Sequence, residues 1–113
     1  MSKPFDVEQI AKLLKLLGDK TRLSIVSLLY YDDFCVCEFV EIFQTSQPAI
    51  SQHLRKLKDS GVVKETRKSQ WMIYSININS EFYPLIEDII KYLPDQKEKV
   101  KELEQNGLRI SCD

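Results

Sequence analysis

SQPAISQHLRKLKDSGVV, residues 46–63, is the stretch on which the fold turns. Thr45 or Ser46 supplies a side-chain oxygen that can cap a helix, and Pro48 falls in the first turn, where a missing N–H does no harm. Ile50, Leu54 and Leu57 recur at helical spacing as one inward stripe, and Gly61 stops the helix after about Ser60. With that stripe buried, the opposite face carries Gln47, Ser51, Arg55 and Lys58, with Gln52 beside them. These side chains suit base edges: Gln can hold adenine through two atoms, Arg can hold guanine through two, and Ser can serve either. His53, the only histidine, lies at the edge of the stripe. It reads as a partly buried residue bonded within the domain or to a phosphate.

Upstream, Val36, Phe39, Val40 and Phe43 mark a short helix expected over about Cys35–Phe43, with Asp32 and Asp33 as candidate caps. Downstream the period shortens. Val62–Thr66 reads as a strand, Arg67–Gln70 as a polar turn and Trp71–Ile78 as a second strand, although the turn lacks the Asn-Gly signal of the tightest hairpins. Two short helices joined by a tight turn and followed by a hairpin form a winged helix-turn-helix, whose second helix enters the major groove of DNA. The expected fold is mostly α with a small β-hairpin, in one domain, with the DNA-reading unit over about 35–78. Ser46 at the helix start and Lys56, Lys58, Lys64, Arg67 and Lys68 near the wing are placed for phosphates or the minor groove.

The flanks read as helices. Val7, Ile10, Ala11, Leu14 and Leu17 give the first a stripe over about 6–17, which Leu13 and Leu16 widen. The second spans about Lys20–Tyr31, with Leu23, Val26, Leu28 and Leu29 as its core. Phe82, Leu85, Ile86, Ile89, Ile90 and Leu93 mark a fifth over about 80–93, capped by Asn79 or Ser80. A charged helix is expected from Asp95 to about Gln105, followed by a mobile tail over about 106–113. The first and fifth helices carry more apolar surface than one small subunit covers easily, which points to a homodimer with two-fold-related reading helices.

The net charge of −1 hides a gradient: Lys and Arg number five against seven Asp and Glu in residues 1–43, six against two in 44–72, and five against eight in 73–113. Basic charge thus gathers around the reading helix and wing, as phosphate contact requires. No apolar run approaches the roughly 20 residues of a membrane span, and the N-terminus lacks an apolar signal core, so a cytoplasmic location away from membranes is expected. Three cysteines, an odd number, argue against a disulfide framework.

Cys35 and Cys37 are the sharpest chemical feature. Thiolates are soft ligands for soft ions, whereas free cysteines are also often simply buried. Within a helix, residues two apart point about 200° from one another, so one ion could hold both sulfurs only if the first helical turn deformed. Ion binding is therefore expected to distort the helix-turn-helix and lower DNA affinity.

LGDKTRLSIVSLL, FCVCEFVEIF, SQPAISQHLRKLKDSGVV and the wing ending WMIYSI together resemble the ArsR/SmtB family of metal-responsive repressors over about residues 6–93. The resemblance implies a homodimer through the first and fifth helices that binds operator DNA and represses a metal-resistance operon until an ion binds. It also favours ligation by Cys35 and Cys37. The family's arsenic sensors carry a further cysteine where this chain has Val40, which leaves two ligands or a third, Cys112, from the tail. The family's Asp/His zinc site on the fifth helix lacks its histidine here, and the N-terminal cysteine of its cadmium sensors is absent. As(III) or Sb(III) is therefore the first expected inducer, with Ag(I), Cu(I) or Cd(II) as alternatives. A thiol redox-sensing repressor and a protein-interaction module remain other readings. A thiol enzyme is disfavoured, because His53 lies on another helix and no acidic third member is evident.

Overall fold

The computed structural model describes residues 5–94 and 96–105. Along them run α1 Val7–Leu17, α2 Lys20–Leu29, β1 Phe34–Cys35, α3 Val36–Phe43, α4 Gln47–Asp59, β2 Val63–Lys68, β3 Trp71–Ile76, α5 Tyr83–Ile90 and α6 Lys97–Gln105. The expected tail over 106–113, with Cys112, lies outside the described residues.

Caps fix most of the helix starts. Asp6 Oδ1 accepts the Gln9 N–H at 2.8 Å while Gln9 Oε1 accepts the Asp6 N–H at 2.9 Å, a reciprocal box that satisfies two otherwise orphaned donors. Asp19 Oδ1 accepts the Arg22 N–H at 3.0 Å, and Ser46 Oγ accepts the Ala49 N–H at 3.3 Å. α5 departs from expectation. Ser80 Oγ accepts the Phe82 N–H at 3.1 Å inside the preceding turn, so the helix begins only at Tyr83 with Pro84 in its first turn. It also ends before Leu93, whose N–H bonds to the Ile90 carbonyl at 2.9 Å in a tighter, three-residue closure.

The core gathers on α2. Ile25, Val26, Leu28 and Leu29 are buried with Phe34 and Phe39, with Ile50, Leu54 and Leu57 of α4, and with Val62, Tyr74 and Ile86. Ile25 takes the core place expected for Leu23, which is half-buried. On α1 the buried residues are Leu13 and Leu17, while Val7 is 86% and Leu14 53% exposed. That helix has two apolar faces, and the chain covers one of them.

The expected hairpin is present, and a third strand joins it. The sheet order is β1-β3-β2, all antiparallel, with Phe34 opposite Tyr74 and Cys35 opposite Ile73. β2 pairs with β3 from Val63↔Ile76 to Lys68↔Trp71, which shortens the expected four-residue turn to Ser69-Gln70. Ser69 takes φ 60°, the left-handed conformation that so short a connection demands. No helix among the described residues is long and apolar enough to cross a membrane.

Leu54 has no exposed surface. Leu54→Ala is expected to lower unfolding free energy by ~2–5 kcal/mol through lost transfer energy and the cavity left behind. Gln52→Ala on the exposed face should change it by less than about 0.5 kcal/mol. Urea unfolding of both variants at one fixed protein concentration measures the contrast.

Candidate functional site

α3, a turn and α4 form the helix-turn-helix. Gln44 ends α3 in the left-handed region (φ 51°, ψ 50°), and its Nε2 donates to the Glu41 carbonyl at 2.6 Å. The chain reverses through Thr45, and Ser46 caps α4. Ile50, Leu54 and Leu57 are fully buried, which fixes the rotation of α4 about its axis. That rotation leaves Ser46, Gln47, Gln52, Arg55, Lys56 and Lys58 exposed and Ser51 half-buried. On the wing, Lys64, Arg67 and Lys68 are exposed. Gln47, Ser51, Arg55 and Lys58 therefore share one solvent-accessible side of α4, flanked by the basic side chains of β2.

Two of these residues also have partners inside the chain. Lys58 Nζ donates to Glu65 Oε1 on β2 in an ion pair, and Tyr74 Oη of β3 donates to Glu65 Oε2 at 2.7 Å. Lys58, first, and Tyr74 hold the Glu65 carboxyl below its ordinary value. Burial, first, and the bond to Glu65 push the Tyr74 hydroxyl up to about 12. The wing is thus tied to the middle of α4. His53, half-buried, receives Arg22 Nη1 at 3.2 Å on its Nδ1. Arginine can only donate, so His53 Nδ1 is the acceptor and the ring's proton lies on Nε2. The same guanidinium donates through Nε to the Leu16 carbonyl at 2.7 Å and lies 3.9 Å from Asp19 Oδ2. Arg22 therefore joins the end of α1, the start of α2 and the side of α4, a junction the sequence reading missed because its partners lie on three different elements.

The thiol pair corrects an expectation. Cys35 is not in the helix: its backbone is extended (φ −94°, ψ 166°), and it is at once a residue of β1 and the cap position of α3. The divergence of about 200° that a helix imposes therefore does not arise. Cys35 Sγ and Cys37 Sγ lie 2.8 Å apart, with Cys35 buried and Cys37 half-buried. No deformation of a helical turn is needed to bring them to one side. Glu38, 1% exposed, accepts the Cys35 N–H on Oε1 at 2.9 Å, completing the N-terminus of α3. Burial, and then the contact with Cys35, push the Cys37 thiol above its ordinary value. Among the described residues, no group of three or more His, Cys, Asp or Glu side chains is arranged to hold a metal ion.

A capped polar helix on a fixed core stripe, preceded by a short helix and braced by a wing, defines a winged helix-turn-helix transcriptional regulator. The sequence profile described as bacterial regulatory protein, arsR family, matches residues 19–65. The chain is 33% identical over 86 residues to the arsenical resistance operon repressor of Staphylococcus aureus, covering 76% of this chain and 78% of that one. It is also 33% identical over 104 residues to the arsenical resistance operon repressor of Escherichia coli strain K12, covering 89% and 86% respectively. Among solved structures, HlyU from Vibrio cholerae N16961 is similar with a TM-score of 0.69 at 26% identity, over 80% of this chain and 98% of the other. The chain belongs to the ArsR family of transcriptional repressors, and its relatives are DNA-binding regulators and not enzymes.

The Glu65 carboxyl sets a pH dependence whose sign follows from its lowered value. A carboxyl depressed in the folded state contributes stability that is fully present above the unfolded value, 4.5, and is lost as pH falls through the folded one. Glu65→Gln should therefore cost on the order of 1 kcal/mol at neutral pH. The gap between it and the unchanged chain, followed by urea midpoints, should narrow only below pH 4.5. A gap independent of pH would mean that Glu65 acts there without its charge.

Proposed function

We propose that this protein is a thiophilic-ion-responsive repressor that binds operator DNA as a homodimer and releases it when Cys35 and Cys37 together ligate As(III) or Sb(III). The observation that carries the reading is the 2.8 Å contact between two thiols at the base of the helix-turn-helix. Two sulfurs form a soft donor set, suited to ions of that class and to Ag(I), Cu(I) or Cd(II) as alternatives. Cys112 is the proposed third ligand. Gln47, Ser51, Gln52 and Arg55 are the proposed base-reading side chains. Ser46, Lys56, Lys64, Arg67 and Lys68 take phosphates, with Lys58 and His53 serving from positions already tied to Glu65 and Arg22. The likeness to two arsenical resistance operon repressors supports this assignment.

The route from sulfur to DNA runs through the sheet. Ligating one ion replaces the direct contact between the sulfurs, and Cys35 cannot shift alone because its backbone is paired with Ile73. Its neighbour Phe34 faces Tyr74, Tyr74 holds Glu65, and Glu65 holds Lys58 on α4. A coupling of ~1–3 kcal/mol along this route would change DNA affinity about 5–150-fold. Ligation also expels the thiol protons, and the raised Cys37 thiol makes that step favour higher pH.

Subunit pairing rests on α1. Val7, Ile10, Ala11 and Leu14 line an open apolar groove with Phe5, and the Phe5 ring stacks on Phe82 at 4.8 Å beside the start of α5. The two helices thus contribute to one surface, which a second copy would bury.

A second reading keeps the same thiols as a redox pair. Peroxide would take two electrons and two protons from them, closing a Cys35–Cys37 disulfide and leaving as two waters. The contact distance favours it. The raised Cys37 thiol opposes it, because the thiolate is the nucleophile.

Fluorescence anisotropy of the reduced protein on DNA from upstream of its own gene tests the ion switch. Arsenite should release the DNA about 5–150-fold more readily than buffer alone, and Cys35→Ser should abolish that release while retaining binding. Release by peroxide and not by any ion would transfer the assignment to the redox reading. Leu14→Glu is expected to convert a dimer into a monomer by light scattering and to weaken DNA binding. A monomeric unchanged chain that binds the operator tightly would refute the pairing.

A further inference from the structure

The groove between α1 and the C-terminal half of α4 adjoins the proposed DNA-reading face through Lys56 and adds to it the α1 side chains that no assignment above uses. It is an open groove of about 440 Å³, lined by Lys12, Lys15 and Leu16 of α1, Arg22 of α2, and Lys56, Asp59 and Ser60 at the end of α4. Four cations face one carboxylate there, although residues 1–43 carry more acidic than basic side chains. Their roles differ. The Arg22 side chain, 12% exposed, is committed to Leu16, Asp19 and His53 and forms the wall. Lys12, Lys15 and Lys56 are exposed arms, and the ion pair of Lys12 with Glu8 at 3.5 Å is itself exposed and restrains it little.

The groove is continuous with the reading face. Gln52, Lys56 and Asp59 follow at spacings of four and three, so they form one ridge from the middle of α4 to the groove's rim. Lys56 and Lys58, two residues apart, lie about 200° from one another around the helix. Lys58 is held on the wing side by Glu65, so Lys56 marks the opposite flank, which corrects its expected place near the wing.

We propose that Lys12 and Lys15, with Lys56, form a second phosphate-binding edge that grips the DNA backbone on the side of the reading helix away from the wing. The proposal rests on the DNA-reading assignment and extends it to α1. The wide mouth of the groove favours a polyanion over a small one, because an extended phosphate backbone can engage several arms at once while a free ion there would stay hydrated. Contacts of this kind position a duplex without reading its sequence.

The salt dependence of binding measures such contacts, since the slope of log K against log salt is negative and each lost phosphate contact makes it less steep by about 0.9. Lys12→Gln/Lys15→Gln, which removes two lysines from each of two subunits, should make the slope less steep by roughly 2–4, equally on DNA from upstream of the gene and on unrelated duplex. Lys12→Arg/Lys15→Arg should restore it. Lys91→Gln/Lys101→Gln, which changes the charge equally on α5's end and α6, should leave it unchanged, with unaltered circular dichroism in all three. An unchanged slope in the first variant, or an equal change in the α5/α6 control, overturns the second edge. Failure of the unaltered chain to bind either duplex overturns the DNA-reading assignment and the edge with it.

Discussion

The antiparallel pairing of Phe34-Cys35 with Ile73-Tyr74 is the constraint on which the arrangement depends. It is two residues long, yet it makes Cys35 a member of the sheet and the cap of α3 at once. Phe34 is fully buried beneath it and packs on Phe39 of α3, with ring centroids 5.2 Å apart. Without that strand, α3 and the wing would be neighbours with no backbone connection, and the thiols would diverge around a helix. With it, the thiols meet, and their backbone is continuous with the element that braces the reading helix.

Polar bonds distribute the rest of the order. Lys58, Glu65 and Tyr74 fasten the wing to one flank of α4. Arg22 and His53 fasten the α1–α2 corner to the other. Tyr30 Oη donates to Glu87 Oε2 at 2.9 Å and joins α2 to α5. Each bond is modest in net free energy, but a buried partner left unsatisfied costs more than the bond contributes. These pairs therefore specify orientation, while the apolar cluster around α2 supplies the bulk of the driving force.

How much of this was legible in the sequence depended on range. The reading helix was, because its cap, its Pro48 and its stripe lie within one local stretch. The hairpin was legible from its β-branched and aromatic run, but Ser69 gave no sign that it would bear a positive φ. The strand β1 was hidden: two residues have no period, and their partners lie across the whole helix-turn-helix. Periodicity also found both apolar faces of α1 without revealing which one the chain covers with its own core. The candidate site divided in the same way. Residue types announced the polar face and the thiols, whereas the links from Lys58 to Glu65 and from Arg22 to His53 are products of tertiary placement.

The Arg22 junction has a mechanical consequence. A guanidinium is planar and rigid, and here it engages the end of one helix, the start of the next and the flank of a third. The corner is thereby cross-braced at one side chain, where α1, α2 and α4 meet. The same side chain fixes where the helix-turn-helix sits relative to the N-terminal helix, through bonds to three elements and not through apolar contact alone.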